Sequence, residues 1–130
     1  MRSQRVVVVE DDPAMSEALR RLLVVAGFSV SRYPSAEALL ESGAAKDSGC
    51  LVVDINLPGI SGIELRRKLL DSGSRARVIF ITAHEDDQTR EAALRCGADG
   101  FFTKPFAGRQ LIEVLRSVLR SHPAETGASP

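Results

Sequence analysis

The sequence has no surplus of charge of either sign: Lys+Arg and Asp+Glu each number 17 in 130 residues. A net charge of zero argues against a domain held on nucleic acid by bulk electrostatics and leaves room only for a local patch. Long apolar runs are missing as well. None approaches the ~20 residues needed to cross a bilayer, so no membrane segment is expected. The first residues, Met1-Arg2-Ser3-Gln4, lead into four valines and then acids. They lack the apolar stretch and small-residue cleavage site of a secretory signal, so a cytoplasmic location is expected. Cysteine is scarce. Cys50 and Cys96 lie far apart with no CxxC or Cys/His spacing. Two reduced, buried thiols acting as small hydrophobes are the expectation, with a redox or metal role as the alternative. No internal repeat or linker interrupts the chain.

What is present is the composition of an ordinary globular domain, 44% apolar and 26% charged. The length suits one domain with a real core. Apolar segments alternate with helical patterns. Arg5–Val9, Phe28–Arg32, Cys50–Val53, Arg77–Ile81 and Gly100–Thr103 read as short strands. The runs VVVV, CLVV and VIFI are continuous, which suits strands covered on both faces. Met15, Ala18, Leu19, Leu22, Leu23 and Ala26 form one helical stripe, with Asp12-Pro13 as its cap and first residue and Gly27 at its end. A shorter helix runs from Ser35 to about Glu41. Ser61-Gly62-Ile63-Glu64 matches a capping box opening a third helix to about Asp71. Glu85-Asp86-Asp87 puts acid at the positive end of a fourth, which ends near Cys96-Gly97. Leu111, Ile112, Leu115, Val118 and Leu119 give a fifth its apolar face. The βα alternation predicts an α/β fold, a parallel sheet with helices on both sides. The last residues, 121–130, are small and polar and read as a tail or the start of a linker, leaving a domain over 1–120.

In such a sheet, ligands bind beyond the carboxyl ends of the strands. Those ends carry Glu10, Asp11 and Asp12 after the first strand and Asp54 after the third. Thr82 follows the fourth, and Lys104-Pro105 the fifth. Any one of these could simply close a strand; together they form a pattern. Several carboxylates in one crevice repel unless some take up protons or a cation joins them. An all-oxygen set without His or Cys suits a hard cation, and Mg²⁺ in particular takes few carboxylates plus a phosphate oxygen. A lysine supplies a point charge and a threonine a hydroxyl donor. Around one further Asp, these parts make a phosphoryl site with a carboxylate nucleophile.

The stretches VVVVEDDPAM, VVDINLPG, VIFITAH and GADGFFTKPF resemble, in order and over about residues 5–120, the receiver domain of two-component response regulators. The later motifs are most similar to receivers of the FixJ type, which normally precede a DNA-binding helix-turn-helix domain. The resemblance implies a flavodoxin-like (βα)5 sandwich whose parallel strands run in the order 2-1-3-4-5. It implies that Asp54 accepts a phosphoryl group from a sensor histidine kinase or phosphotransfer protein. Glu10, Asp11, Asp54 and the backbone carbonyl of Asn56 would hold Mg²⁺, with Mn²⁺ as a substitute; Glu10 would act through water. Asp12 is better read as the helix cap. Thr82 and Lys104 would contact phosphoryl oxygens, and Lys104-Pro105 would be a cis peptide. Thr82 and Phe101 would form a switch, with Phe101 as a plain core aromatic the alternative.

The same resemblance places the output on a face made by the fourth helix, fifth strand and fifth helix. Arg90, Glu91, Arg95, Arg109, Glu113 and Arg116 give that face mixed charge, suited to a homodimer, to an effector domain or to plain solvation. Asn56 and His84 flank the implied path of attacking water and are candidates for setting the lifetime of the phosphorylated state. His84 could orient that water, obstruct it or do neither. No helix-turn-helix is present, so direct nucleic-acid binding by these residues is not expected. A haloacid-dehalogenase-like aspartyl phosphatase is the enzyme alternative, but it needs a second acid at position 56, where this chain has an amide. A flavodoxin-like cofactor binder would need a phosphate-cradling loop after the first strand, and Glu-Asp-Asp stands there instead.

Overall fold

The computed structural model of the chain describes residues 4–47, 49–84 and 86–120. The strands are β1 (Arg5–Val9), β2 (Ser29–Tyr33), β3 (Cys50–Asp54), β4 (Arg77–Thr82) and β5 (Gly100–Thr103). Between and after them come α1 (Pro13–Val25), α2 (Ala36–Ser42), α3 (Gly62–Asp71), α4 (Asp87–Arg95) and α5 (Gly108–Arg120), with a short 3₁₀ turn at Ala44–Asp47. All strand pairings are parallel, in the order β2-β1-β3-β4-β5. The expected flavodoxin-like topology is the observed one.

The valine run shows why the strands read as continuous apolar stretches. Side chains alternate across a strand, so neighbours feed different cores. Val6 and Val8 join Val52, Ile79 and Ile81 beneath Leu19 and Leu23 of α1 and Leu111 and Leu115 of α5. Val7 and Val9 join Leu51, Val53 and Phe80 on the other side, with Leu39 of α2, Leu65 of α3 and Ala93 of α4. Each fully buried valine contributes on the order of 1.5–3 kcal/mol, so this short strand anchors both layers. β2 and β5 are the edges and are only partly buried.

Boundaries differ slightly from expectation, for local reasons. β2 begins at Ser29 because the Phe28 N–H donates to Leu23 O at 3.0 Å, closing α1 around Gly27 at φ 101°. β3 and β4 each reach one residue further, since Asp54 still pairs with Ile81 and Thr82 with Thr103. The caps are as read. Asp12 accepts from the Ala14 N–H at 3.1 Å, and Ser61 and Glu64 form the reciprocal capping box. Asp86 caps α4 through the Thr89 N–H at 2.8 Å, while Glu85 lies outside the described residues, as does the segment 121–130. Cys50 and Cys96 are free and buried in opposite cores, where burial pushes both thiols up. Among the described residues no helix is long and apolar enough to cross a membrane.

Candidate functional site

The carboxyl edge of the sheet gathers charge that the strands themselves deliver. Asp54, the last residue of β3, is 4% exposed, and Glu10, just past β1, is 2% exposed. Lys104 follows β5, its backbone N–H donating to Thr82 O at 2.7 Å. From there its Nζ donates to Glu10 Oε1 at 3.1 Å and to Asp54 Oδ2 at 3.2 Å. One ammonium thus joins side chains from three strand ends. The Lys104–Pro105 peptide is cis. The remaining carboxylate oxygens take backbone donors: Asp54 Oδ1 from the Asn56 N–H at 2.9 Å, and Glu10 Oε2 from the Asp12 N–H at 3.1 Å. Asp11 is exposed and completes the trio. Glu10, Asp11 and Asp54 each offer an oxygen within 4.8 Å of the others.

This crowding perturbs the charges. Burial pushes Glu10 up to about 7, and the neighbouring Asp54 charge adds to it. The Asp12 N–H and the Lys104 ammonium pull the other way. Burial opposes the Lys104 charge, but hydrogen bonds to Glu10 and Asp54 overcome it and hold the ammonium above the usual lysine range. The donor set is all oxygen, with no His or Cys among the clustered ligand atoms. It fits a hard divalent cation such as Mg²⁺, which would relieve the same repulsion.

A pH test follows. Because Glu10 is raised from 4.5 to about 7, its proton stabilises the metal-free fold fully below pH 4.5, and that stability is lost as pH rises through about 7. A bound cation needs the carboxylate and displaces the proton. The gain in Tm from saturating Mg²⁺ should therefore be larger near pH 8 than near pH 5.5, read by thermal melts. An equal or smaller gain at the higher pH would contradict this linkage.

Thr82 stands at the end of β4 with no exposure, and its hydroxyl forms a second cluster. Thr82 Oγ1 lies 2.7 Å from Asn56 Oδ1 and 3.0 Å from the His84 carbonyl, and it accepts the His84 N–H at 3.1 Å. His84 bonds to Thr82 through its backbone N–H and carbonyl, and the residue is exposed. Asn56 connects the clusters, its N–H on Asp54 and its side chain on Thr82. Phe101 stands on β5, paired with Phe80 of β4. It is half-buried against the α3/α4 core, with the Arg90 guanidinium 4.9 Å from its ring centre. On the neighbouring helix faces, Arg95 pairs with Glu91, and Arg116 donates to Ala26 O at the end of α1.

Two contacts had no sequence signal. Glu37 of α2 accepts the Ile60 N–H at 3.0 Å, which pins the loop that follows Asp54 and holds this carboxyl below its usual range. Gly59 sits at φ 76°, the left-handed region that favours glycine, and a Cβ there would also displace the Glu37 carboxylate, 2.5 Å away. Arg66, 8% exposed, donates to three backbone carbonyls, Cys96 O, Ala76 O and Gly97 O, at 3.0, 2.6 and 3.2 Å.

The family model of the response regulator receiver domain matches residues 6–116. The chain belongs to that family. This receiver is 39% identical over 112 residues to the transcriptional regulatory protein FixJ of Azorhizobium caulinodans, covering 86% of this chain and 53% of that one. To the response regulator protein TodT of Pseudomonas putida it is 33% identical over 129 residues, covering 99% and 57%. Among solved structures it is similar to FixJ-N, at 34% identity and a TM-score of 0.83, covering 92% of this chain and 96% of that one. The response regulator StyR matches at 36% identity and a TM-score of 0.87, covering 96% and 63%. The chain spans about half the length of the curated relatives it matches. It is a FixJ-like receiver of two-component signalling, a regulatory domain, and the haloacid-dehalogenase reading has no support. Response regulators are phosphorylated by sensor kinases and control effector outputs.

Proposed function

We propose that Asp54 is the phosphoacceptor of this receiver and takes its phosphoryl group from the phosphohistidine of a sensor kinase or phosphotransfer protein. A carboxylate oxygen of Asp54 forms the new O–P bond as the P–N bond to the donor histidine breaks. Glu10 (through water), Asp11, Asp54 and the Asn56 carbonyl would hold Mg²⁺, or Mn²⁺ in its place, which would supply charge neutralisation for an anion attacking an anion. Lys104 adds positive charge at two of the same carboxylates. Its ammonium already lies between Glu10 and Asp54, within reach of both, and that bridge is the observation that carries the reading. It is held protonated by those two acids, so it meets an incoming phosphoryl oxygen as a cation.

Phosphorylation adds about −1.5 to −2 of charge and three acceptor oxygens. Thr82 then turns its hydroxyl to those oxygens, and Phe101 repacks into the space released. This changes the α4-β5-α5 face that meets a second copy or an effector domain. Hydrolysis of the aspartyl phosphate, tuned by Asn56 and His84, returns the domain to rest. The receiver occupies residues 1–120, works in the cytoplasm, and 121–130 begins a tail or linker.

Trifluoroberyllate tests the site without a kinase, because it bonds to a carboxylate oxygen and copies the tetrahedral phosphoryl group. Fluorine NMR should show bound resonances only when Mg²⁺ is present. Bound signal without the metal, or none with it, would contradict the proposal.

A further inference from the structure

The proposed metal and phosphoryl site uses only the backbone of Asn56. Its side chain has a different partner: Oδ1 lies 2.7 Å from Thr82 Oγ1, the usual length of an O–H···O bond. The hydroxyl has one proton to give. Of its two acceptors, Asn56 Oδ1 is nearer than the His84 carbonyl at 3.0 Å, and the His84 N–H occupies an acceptor position at 3.1 Å. Thr82 is fully buried, so no solvent competes for that proton. A phosphoryl oxygen on Asp54 would have to take it from Asn56.

We propose that Asn56 is a positioning residue, a latch whose side chain holds the Thr82 hydroxyl in its resting arrangement against the pull of a phosphoryl group on Asp54. The inference rests on the reading of Asp54 as phosphoacceptor. It gives the amide a role distinct from steering water, because the latch acts before hydrolysis, on the energy of the resting state. One residue then touches both partners, with its N–H on Asp54 Oδ1 at 2.9 Å and its Oδ1 on Thr82. Asn56 is exposed, so once released its amide is satisfied by water and the latch can open. The cost is the difference between two hydrogen-bonding states, about the net worth of one neutral bond. That shifts the affinity for a phosphoryl group by about fivefold. An aliphatic side chain here removes the nearer acceptor and leaves the Thr82 hydroxyl the longer bond to the His84 carbonyl, which holds it less firmly.

The test is a double-mutant cycle read as trifluoroberyllate affinity at fixed, saturating Mg²⁺, by titration of the fluorine signal. Asn56→Ala should bind the mimic about fivefold more tightly than the native chain. In a Thr82→Ala background the same change should have no effect, because there is no hydroxyl to hold. A residue that merely shaped the loop would act alike in both backgrounds. Unchanged or weaker binding by Asn56→Ala, or the same gain with Thr82→Ala, overturns the latch and leaves the Asp54 reading standing. No binding by the native chain overturns that reading and the latch with it.

Discussion

Replacing Asp54 with Ala is expected to abolish phosphoryl uptake from a radiolabelled small phosphodonor, a loss of at least about a thousandfold. No neighbour can substitute. Glu10 has one oxygen on the Lys104 ammonium and the other on the Asp12 N–H, and its raised pKa leaves it partly protonated near pH 7. Asp11 is exposed and has no lysine contact of this kind; the ion pairs of Lys104 are to Glu10 and Asp54. Asp12 is committed to capping α1. The fold should not suffer equally. Asp54 raises Glu10 by charge repulsion, so its removal relieves one unfavourable term while Lys104 keeps Glu10 as a partner. The Tm of Asp54→Asn should match or exceed the native value in metal-free buffer. A variant that still took up phosphate, or that failed only by unfolding, would count against Asp54 as the nucleophile.

The largest expected effect on stability lies elsewhere, at Arg66. Its guanidinium is buried between α3, the start of β4 and the end of α4, and it satisfies three carbonyls. Two of them, Cys96 O and Gly97 O, follow the last turn of α4, the negative end of that helix, where a cation is favoured. Arg66→Ala leaves those carbonyls without their donor and should cost about 3 kcal/mol, or about 10 °C in Tm. Arg66→Lys should recover little, because one compact ammonium cannot match the planar fork across three acceptors. Denaturant and thermal melts measure both. A loss under about 1 kcal/mol for Arg66→Ala would mean that the carbonyls find other partners.

Most of the site was legible because it is written in strand ends. The parallel sheet brings the residues after each apolar run to one edge, so Glu10, Asp54 and Lys104 could be grouped from strand order alone. Their meeting at 3.1 and 3.2 Å is the geometric result. Asp12 and Ser61 were readable as caps because capping is a local pattern, whereas Asp86 was read only as part of an acidic run at the start of α4. Glu37 with Ile60, Asn56 with Thr82, and Arg66 with Cys96 were not readable. Each joins side chain to distant chain across separate elements, and neither periodicity nor propensity encodes such a pair. Arg66 in particular reads as one more polar residue in the run Arg66-Arg67-Lys68. Only the packing of α3 against α4 selects it for burial. The strand ends at Asp54 and Thr82 were read one residue short because a polar residue looks like a terminator, whereas the ladder continues through both.

This receiver is expected to store a phosphoryl group on Asp54 with the help of a divalent cation. Intact mass after incubation with acetyl phosphate, with and without Mg²⁺, tests it most directly, followed by mapping of the modified peptide. One added phosphoryl group is expected, on the peptide containing Asp54, lost when Mg²⁺ is chelated before the donor is added. An adduct that ignores chelation, one that maps to another residue, or no adduct in the folded native chain would contradict it.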